Sequence, residues 1–262
     1  MFCFYCFILR YIGKTRHPLA HARTVSSFRF SLYVIHGKIF GRDVPLVYVL
    51  MNSRSEETYH KVLSILQDNS VRFPKYIIMD FELPQFNAFK RIADKTKIHF
   101  CLFHLGQSIW RKIQNLSFSQ LYIQNTNFRL LVKCFLSLAF VPLEFLSEEY
   151  TKLIKKSLEF KDVDMNPFIK YFEKNYIKSK KYPLEAWNAF DRVKNGINLT
   201  SNSAESFNCH FNNRFEQPHS SLHTLIDKLK DSQSSTEQDI RYRMCNPELP
   251  TSEKDGKNNN NL

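Results

Sequence analysis

An α/β fold, with a mixed sheet interrupted by an all-helical insertion, follows from three observations. Short runs of β-branched and aromatic residues alternate with helix-spaced runs over the first half of the chain. Strand signals then fade between about Gln120 and Asn195, where apolar residues recur only at helical spacing. Beyond that, a Ser/Thr/Asn-rich stretch opens a last helical region. Alternating strands and helices of this kind pack as a sheet covered by helices.

Phe28 to Ile35 and Val44 to Met51 predict a β-hairpin, with Gly37 to Asp43 as its loop. Glu56 to Leu66 predicts an amphipathic helix with Ser55 as N-cap. Tyr76 to Met79 reads as a short strand, Pro84 to Ala93 as a helix, Ile98 to Cys101 as a strand and Gln107 to Ile113 as a helix. Leu121 to Phe140, Pro142 to Phe160 and Pro167 to Tyr176 predict the helices of the insertion. Thr200 to Phe215 and His223 to Asp231 predict two more, and the Pro, Ser, Lys and Asn content from Asn246 to Leu262 predicts a disordered tail.

The chain of 262 residues carries 37 Lys and Arg against 25 Asp and Glu, a formal charge of +12. Such a balance suits a polyanionic partner, with DNA or RNA the commonest, and suits a solvated basic surface equally well. Only 6 glycines occur, without a GxGxxG or GxxxxGKS run, which argues against a phosphate loop of either type. The cysteines Cys3, Cys6, Cys101, Cys134, Cys209 and Cys245 lack a framework spacing, as in proteins of reducing compartments. Phe2 to Ile12 is apolar but far shorter than the roughly 20 residues of a membrane span. The first 42 residues hold seven Lys or Arg and no Asp or Glu; the reading is the altered front of a truncated domain, with a targeting peptide as the alternative.

The candidate chemistry centres on Tyr76 to Lys112. An apolar strand ends there on Asp80, with Glu82 two residues on, and a second strand ends on the Cys101-Leu-Phe-His104 turn. Acids at strand ends sit where ligands bind to α/β sheets, and carboxylates are the hard donors that Mg²⁺ or Mn²⁺ requires. Asp80 reads equally as the cap of the following helix, with Pro84 in its first turn. Cys101 and His104 have the spacing of half a zinc site without the other half; Cys101 also reads as a buried strand residue. His104 could instead bond a phosphate or an acidic metal ligand. Glu205 falls near a helix start, where an acid complements the helix dipole. Lys178, Lys180 and Lys181, beside Tyr176 and Tyr182, form either a DNA-backbone patch or a solvated face.

Together these residues resemble the transposase domain of Mutator-like elements, the MULE family. The resemblance runs in order through VPLVYVLMNSRSEETYHKVL, YIIMDFELPQFNAF, CLFHLGQSIWRKI and TSNSAESFN, and covers about Phe28 to Lys230. It implies a ribonuclease-H-like fold with a helical insertion and a D-D-E triad holding two Mg²⁺ or Mn²⁺ ions. Asp80 would be the second acid and Glu205 the third, both metal ligands, with Glu82, Cys101 and His104 as support. It further implies DNA cleavage and strand transfer, DNA as partner, homo-oligomers and a nuclear location, with no membrane.

On this reading the segments are an atypical basic and apolar stretch (1–27), the first part of the core (28–118), the helical insertion (119–198), the closing core helices (199–240) and a tail (241–262). One departure stands out. The family's first Asp precedes the hairpin, roughly at Pro18 to Ser27, and no acid occurs before Asp43, which is expected in the hairpin loop. The first catalytic strand is therefore expected to be missing or replaced, and the chain to be an impaired copy. The alternative is a non-enzymatic DNA-binding or regulatory protein derived from a transposase.

Overall fold

A computed structural model describes residues 3–9, 31–214 and 222–248, with the side chains of 3–9 and of Ser203 outside the description. It is mixed α/β, richer in helix than in strand. The chain divides into two compact units, each described in turn. The first comprises the described residues up to Ile77, Asn87–Thr96 and those from Asn202 onward; the second comprises Ile78–Phe86 and Lys97–Ser201.

In the first unit, β1 (Cys3–Leu9), β2 (Ser31–Ile39) and β3 (Arg42–Met51) form an antiparallel meander, with β2 central. The register pairs Leu9 with Leu32 and Phe4 with Gly37 on one side of β2, and Ser31 with Met51 on the other. The sheet order runs β3-β2-β1-β4, where β4 is Tyr76–Met79. The N-terminal apolar run thus supplies a strand that its basic, acid-free surroundings did not suggest. Its aromatic and branched residues are strand formers, and pairing with β2 decides their state.

The hairpin departs from expectation at its loop. β2 and β3 run on until only Phe40 and Gly41 remain between them, at φ values of 49° and 75°. Positive φ at both central positions is the tight turn whose twist matches flanking strands. Of the expected loop residues, Gly37 pairs with Val44 and Asp43 with Lys38 near the strand ends, so both are strand residues. Phe28 to Phe30 lie outside the described residues.

β2 is buried on both faces, and its period of two assigns the packing. Leu32 and Val34 meet Phe211 of α10 (Asn202–Asn212) and Leu225 of α11 (Leu222–Cys245). Tyr33, on the opposite face, meets Tyr59 of α1 (Glu56–Asp68) edge-on at 5.4 Å. His36, one step along the α10 face, packs edge-on to Phe207 at 5.1 Å, and burial lowers its pKa to about 4. Ser55 caps α1 as expected, accepting from the Thr58 N–H at 3.2 Å. α11 continues through Cys245, beyond residue 240, and is tied to β3 by a Tyr48–Ser232 hydroxyl bond of 3.1 Å.

The second unit contains the end of β4, the start of α2 (Leu83–Ile92), β5 (Lys97–Phe100) and a helical array. β5 lies beside β4, and the Cys101 N–H donates to the Met79 carbonyl at 2.8 Å, so the two strands end side by side. The array is α3 (Leu102–Asn115), α4 (Ser119–Gln124), α5 (Thr126–Ser137), α6 (Leu143–Leu158), α7 (Asn166–Phe172), α8 (Leu184–Trp187) and α9 (Phe190–Lys194). Expected as one helix, 121–140 is broken at Asn125, whose side chain caps α5 by accepting from the Phe128 N–H at 3.0 Å. A 3₁₀ turn, Leu138–Phe140, ends that run. Past α7 the chain widens into a π-turn, Glu173–Ile177.

Aromatic rings fill this unit. Phe135 meets Phe168 and Phe172 at 4.9 and 5.2 Å, and Trp187, 1% exposed, donates its indole N–H to the Tyr176 carbonyl at 3.2 Å. Arg192 is equally buried and spans the Phe100 and Asn198 carbonyls at 2.9 and 2.6 Å. No helix among the described residues is long and apolar enough to cross a membrane.

The hairpin turn generates a testable expectation. A bulky residue at φ 49° is strained, and Phe40 is exposed, so little packing is lost on replacing it. Phe40→Asn should raise stability by about 1 kcal/mol, measured by urea denaturation, because Asn tolerates this conformation.

Candidate functional site

The side-by-side ends of β4 and β5 place Asp80 next to the Cys101 turn, all within the second unit. β4 is apolar and buried through Met79, and the chain then turns sharply, with the Glu82 N–H donating to the Asp80 carbonyl at 2.7 Å. The first bond of α2 runs from the Phe86 N–H to the Glu82 carbonyl at 3.0 Å. Glu82, rather than Asp80, therefore stands just before the helix, and Asp80 is released for another partner. Phe81, between the acids, stacks on Phe100 at 4.5 Å and receives the edges of Tyr182 and Tyr176 at 5.2 and 5.8 Å.

The partner of Asp80 is His104. β5 ends at Phe100, one residue short of the expected Cys101, and Cys101 takes the N-cap position of α3 with extended backbone. His104 therefore lies in the first turn of α3, three residues ahead of the expected helix start at Gln107. Its Nδ1 approaches Asp80 Oδ1 to 3.0 Å in an ion pair of imperfect hydrogen-bond alignment. Burial works against charge on this imidazole, but the Asp80 and Cys101 side chains bonded to it more than offset that, raising its pKa to about 10. Cys101 is fully buried, and burial would raise its thiol pKa; the bonds from His104 and Ser201 outweigh this and lower it. Ser201 donates to the sulfur at 3.4 Å. Cys101 is thus buried, but as the N-cap of α3 rather than within a strand.

Glu205 occupies the first turn of α10 in the first unit, with Phe207 and Phe211 stacked at 5.6 Å on the core-facing stripe. Of the three lysines, Lys178 is neutralised by Glu173 at 2.7 Å, whereas Lys180 and Lys181 are exposed, and among the described residues neither has a carboxylate partner. Sequence reasoning passed over Phe81, and named Tyr182 only as a neighbour of the lysines. Their signal lay in place, since Phe81 sits between the two acids and Tyr182 beside the lysines, but ring contacts over a hundred positions have no local signature.

The resemblance implies divalent cations, and the donors in this unit can be tested against them. Asp80 and Glu82 offer hard oxygens; Cys101 and His104 offer softer donors. Asp80 Oδ1 already has the His104 imidazole at 3.0 Å, so a cation on that oxygen would have to share it or displace the ring. A two-ion centre needs about three convergent carboxylates. Asp80 and Glu82 supply two carboxylates at this turn.

The ion pair has a pH signature. His104 has its pKa raised above the ordinary 6.5, so its stabilising effect is complete below pH 6.5 and is lost as pH rises through about 10. Stability should decline across that window, and the His104 ring should still be protonated at pH 8 by NMR. Asp80→Asn should flatten the decline and bring the titration of His104 toward its ordinary range.

Comparison with known proteins adds one finding. Among curated proteins, none matches the chain. Residues 23–108 match the family model of the MULE transposase domain, a span that includes Asp80, Glu82, Cys101 and His104 but ends before the lysine turn and Glu205. The resemblance carried by the motifs therefore holds over this stretch, which is similar to a MULE transposase domain.

Proposed function

We propose that the chain is a MULE-type transposase core of ribonuclease-H-like fold whose own catalysis is impaired. The observation that carries this reading is the family match over residues 23–108, with Asp80 at the end of β4 beside the end of β5. The sheet order β3-β2-β1-β4-β5, with an antiparallel meander leading into helix-connected strands, supports the fold. Asp80 and Glu205 are the acids retained from the D-D-E triad, and the ancestral chemistry is Mg²⁺- or Mn²⁺-dependent cleavage and joining of DNA. The nucleus is where such a protein would meet its substrate.

Impairment rests on the strand before the hairpin. β1 reads CFYCFIL and has no carboxylate, and residues 18–27, where the first acid was sought, contain none and lie outside the described residues. A two-ion mechanism spreads the developing charge over both metals, so loss of one ligand set typically costs several orders of magnitude in rate. The histidinium on Asp80 adds a competitor for that carboxylate.

A second reading is favoured by the charge of +12: a DNA-binding or regulatory protein that keeps the fold without the chemistry. Purified protein incubated with terminal-repeat DNA and Mn²⁺ separates the two. No strand cleavage above background is expected; cleavage that Asp80→Ala abolishes would overturn the claim of impairment. Salt-sensitive DNA binding without cleavage would favour the second reading.

A further inference from the structure

We propose that the turn 178–183 is a DNA-phosphate contact built onto the acid turn of the same unit, with Lys180 and Lys181 as the contacting cations and Tyr182 as the residue that positions them. This rests on the reading that the chain acts on or binds DNA. The turn is held at both ends. On its N-terminal side, the π-turn closes with the Lys178 N–H on the Glu173 carbonyl at 2.8 Å, and Lys178 is spent on the Glu173 carboxylate. Ser179 Oγ then accepts from the Lys181 and Tyr182 N–H groups at 3.2 and 3.1 Å, which fixes the backbone that carries the lysines.

Tyr182 joins this turn to the acids. Its hydroxyl donates to the Phe81 carbonyl at 3.2 Å, and its ring meets Phe81 and Phe100 edge-on at 5.2 and 5.3 Å. Phe81 is the residue between Asp80 and Glu82. The lysines are therefore one and two residues from a side chain bonded to the acid turn.

The charge arrangement favours a phosphodiester over other occupants. A phosphate brought to a carboxylate pair is repelled, and adjacent cations offset that repulsion. Lys180 and Lys181 are exposed, lack carboxylate partners among the described residues, and stand on a rigid turn, so little ordering entropy is lost on binding. Lys178, already paired, contributes no net charge. The lysines thereby add two solvent-exposed cations to a turn whose own imidazole is engaged by Asp80.

The test is fluorescence anisotropy of a labelled duplex DNA across a salt series. Lys180→Ala/Lys181→Ala should reduce the slope of log affinity against log salt by about 1.8, two phosphate contacts. Lys155→Ala/Lys156→Ala, two exposed residues of α6 in the same unit, should leave the slope unchanged. Tyr182→Ala, which keeps every lysine, should lose most of the same slope, and Tyr182→Phe, which keeps the ring contacts, should recover much of it. If both lysine pairs lower the slope equally, or Tyr182→Ala behaves as wild type while folded by circular dichroism, the inference fails and the DNA reading stands. Should Tyr182→Ala not fold, the two lysine pairs decide. Absence of DNA binding by the wild type at low salt overturns both.

Discussion

The stacking of Phe81 on Phe100 is the contact on which the second unit's candidate chemistry depends. It lies at the junction of two strand ends, with ring centroids 4.5 Å apart and planes nearly parallel at 20°. Tyr176 and Tyr182 close on the same ring by their edges. Aromatic pairs contribute roughly 0.5–1.5 kcal/mol each beyond burial, so the cluster is worth several times a single surface ion pair. Its consequence is geometric: with Phe81 committed inward, the residues on either side of it, Asp80 and Glu82, stand at the rim of the turn.

Electrostatics then completes what packing begins. Asp80 is presented to the first turn of α3, where a histidine stands three residues after the N-cap cysteine. Against the cost of burial, the Asp80 carboxylate on one side and Cys101 on the other favour the protonated imidazole. Cys101 gains from the same arrangement, since a charge-bearing neighbour and a helix N-terminus both favour the thiolate. Cys101 and His104 each shift the other, so a change at one is felt by its neighbour.

Much of this was legible in the residues. The buried strand ending on Asp80, the cap at Ser55 and the Phe207–Phe211 stripe all follow local rules of period and capping, and the structure places them accordingly. Less was legible where two local rules competed. The break at Asn125 lost to a continuous helical period until the Asn side chain was seen to cap α5. The hairpin loop was drawn too long because Gly37 and Asp43 are turn formers by composition, while ladder pairing across them decided otherwise. β1 was hidden by its setting, since an apolar run among basic residues has no strand signal until a neighbour such as β2 pairs with it.

The sequence by itself determined the alternation of elements, the family likeness and the absence of an acid ahead of the hairpin, because period, motif order and composition are properties of the chain alone. Tertiary structure decided which partner each polar group takes. Whether Asp80 caps a helix or pairs with His104, whether Lys178 is free or spent on Glu173, and whether Tyr182 is surface or anchor depend on groups brought together from distant positions. Distances of a few ångströms set those outcomes, and no spacing along the chain encodes them.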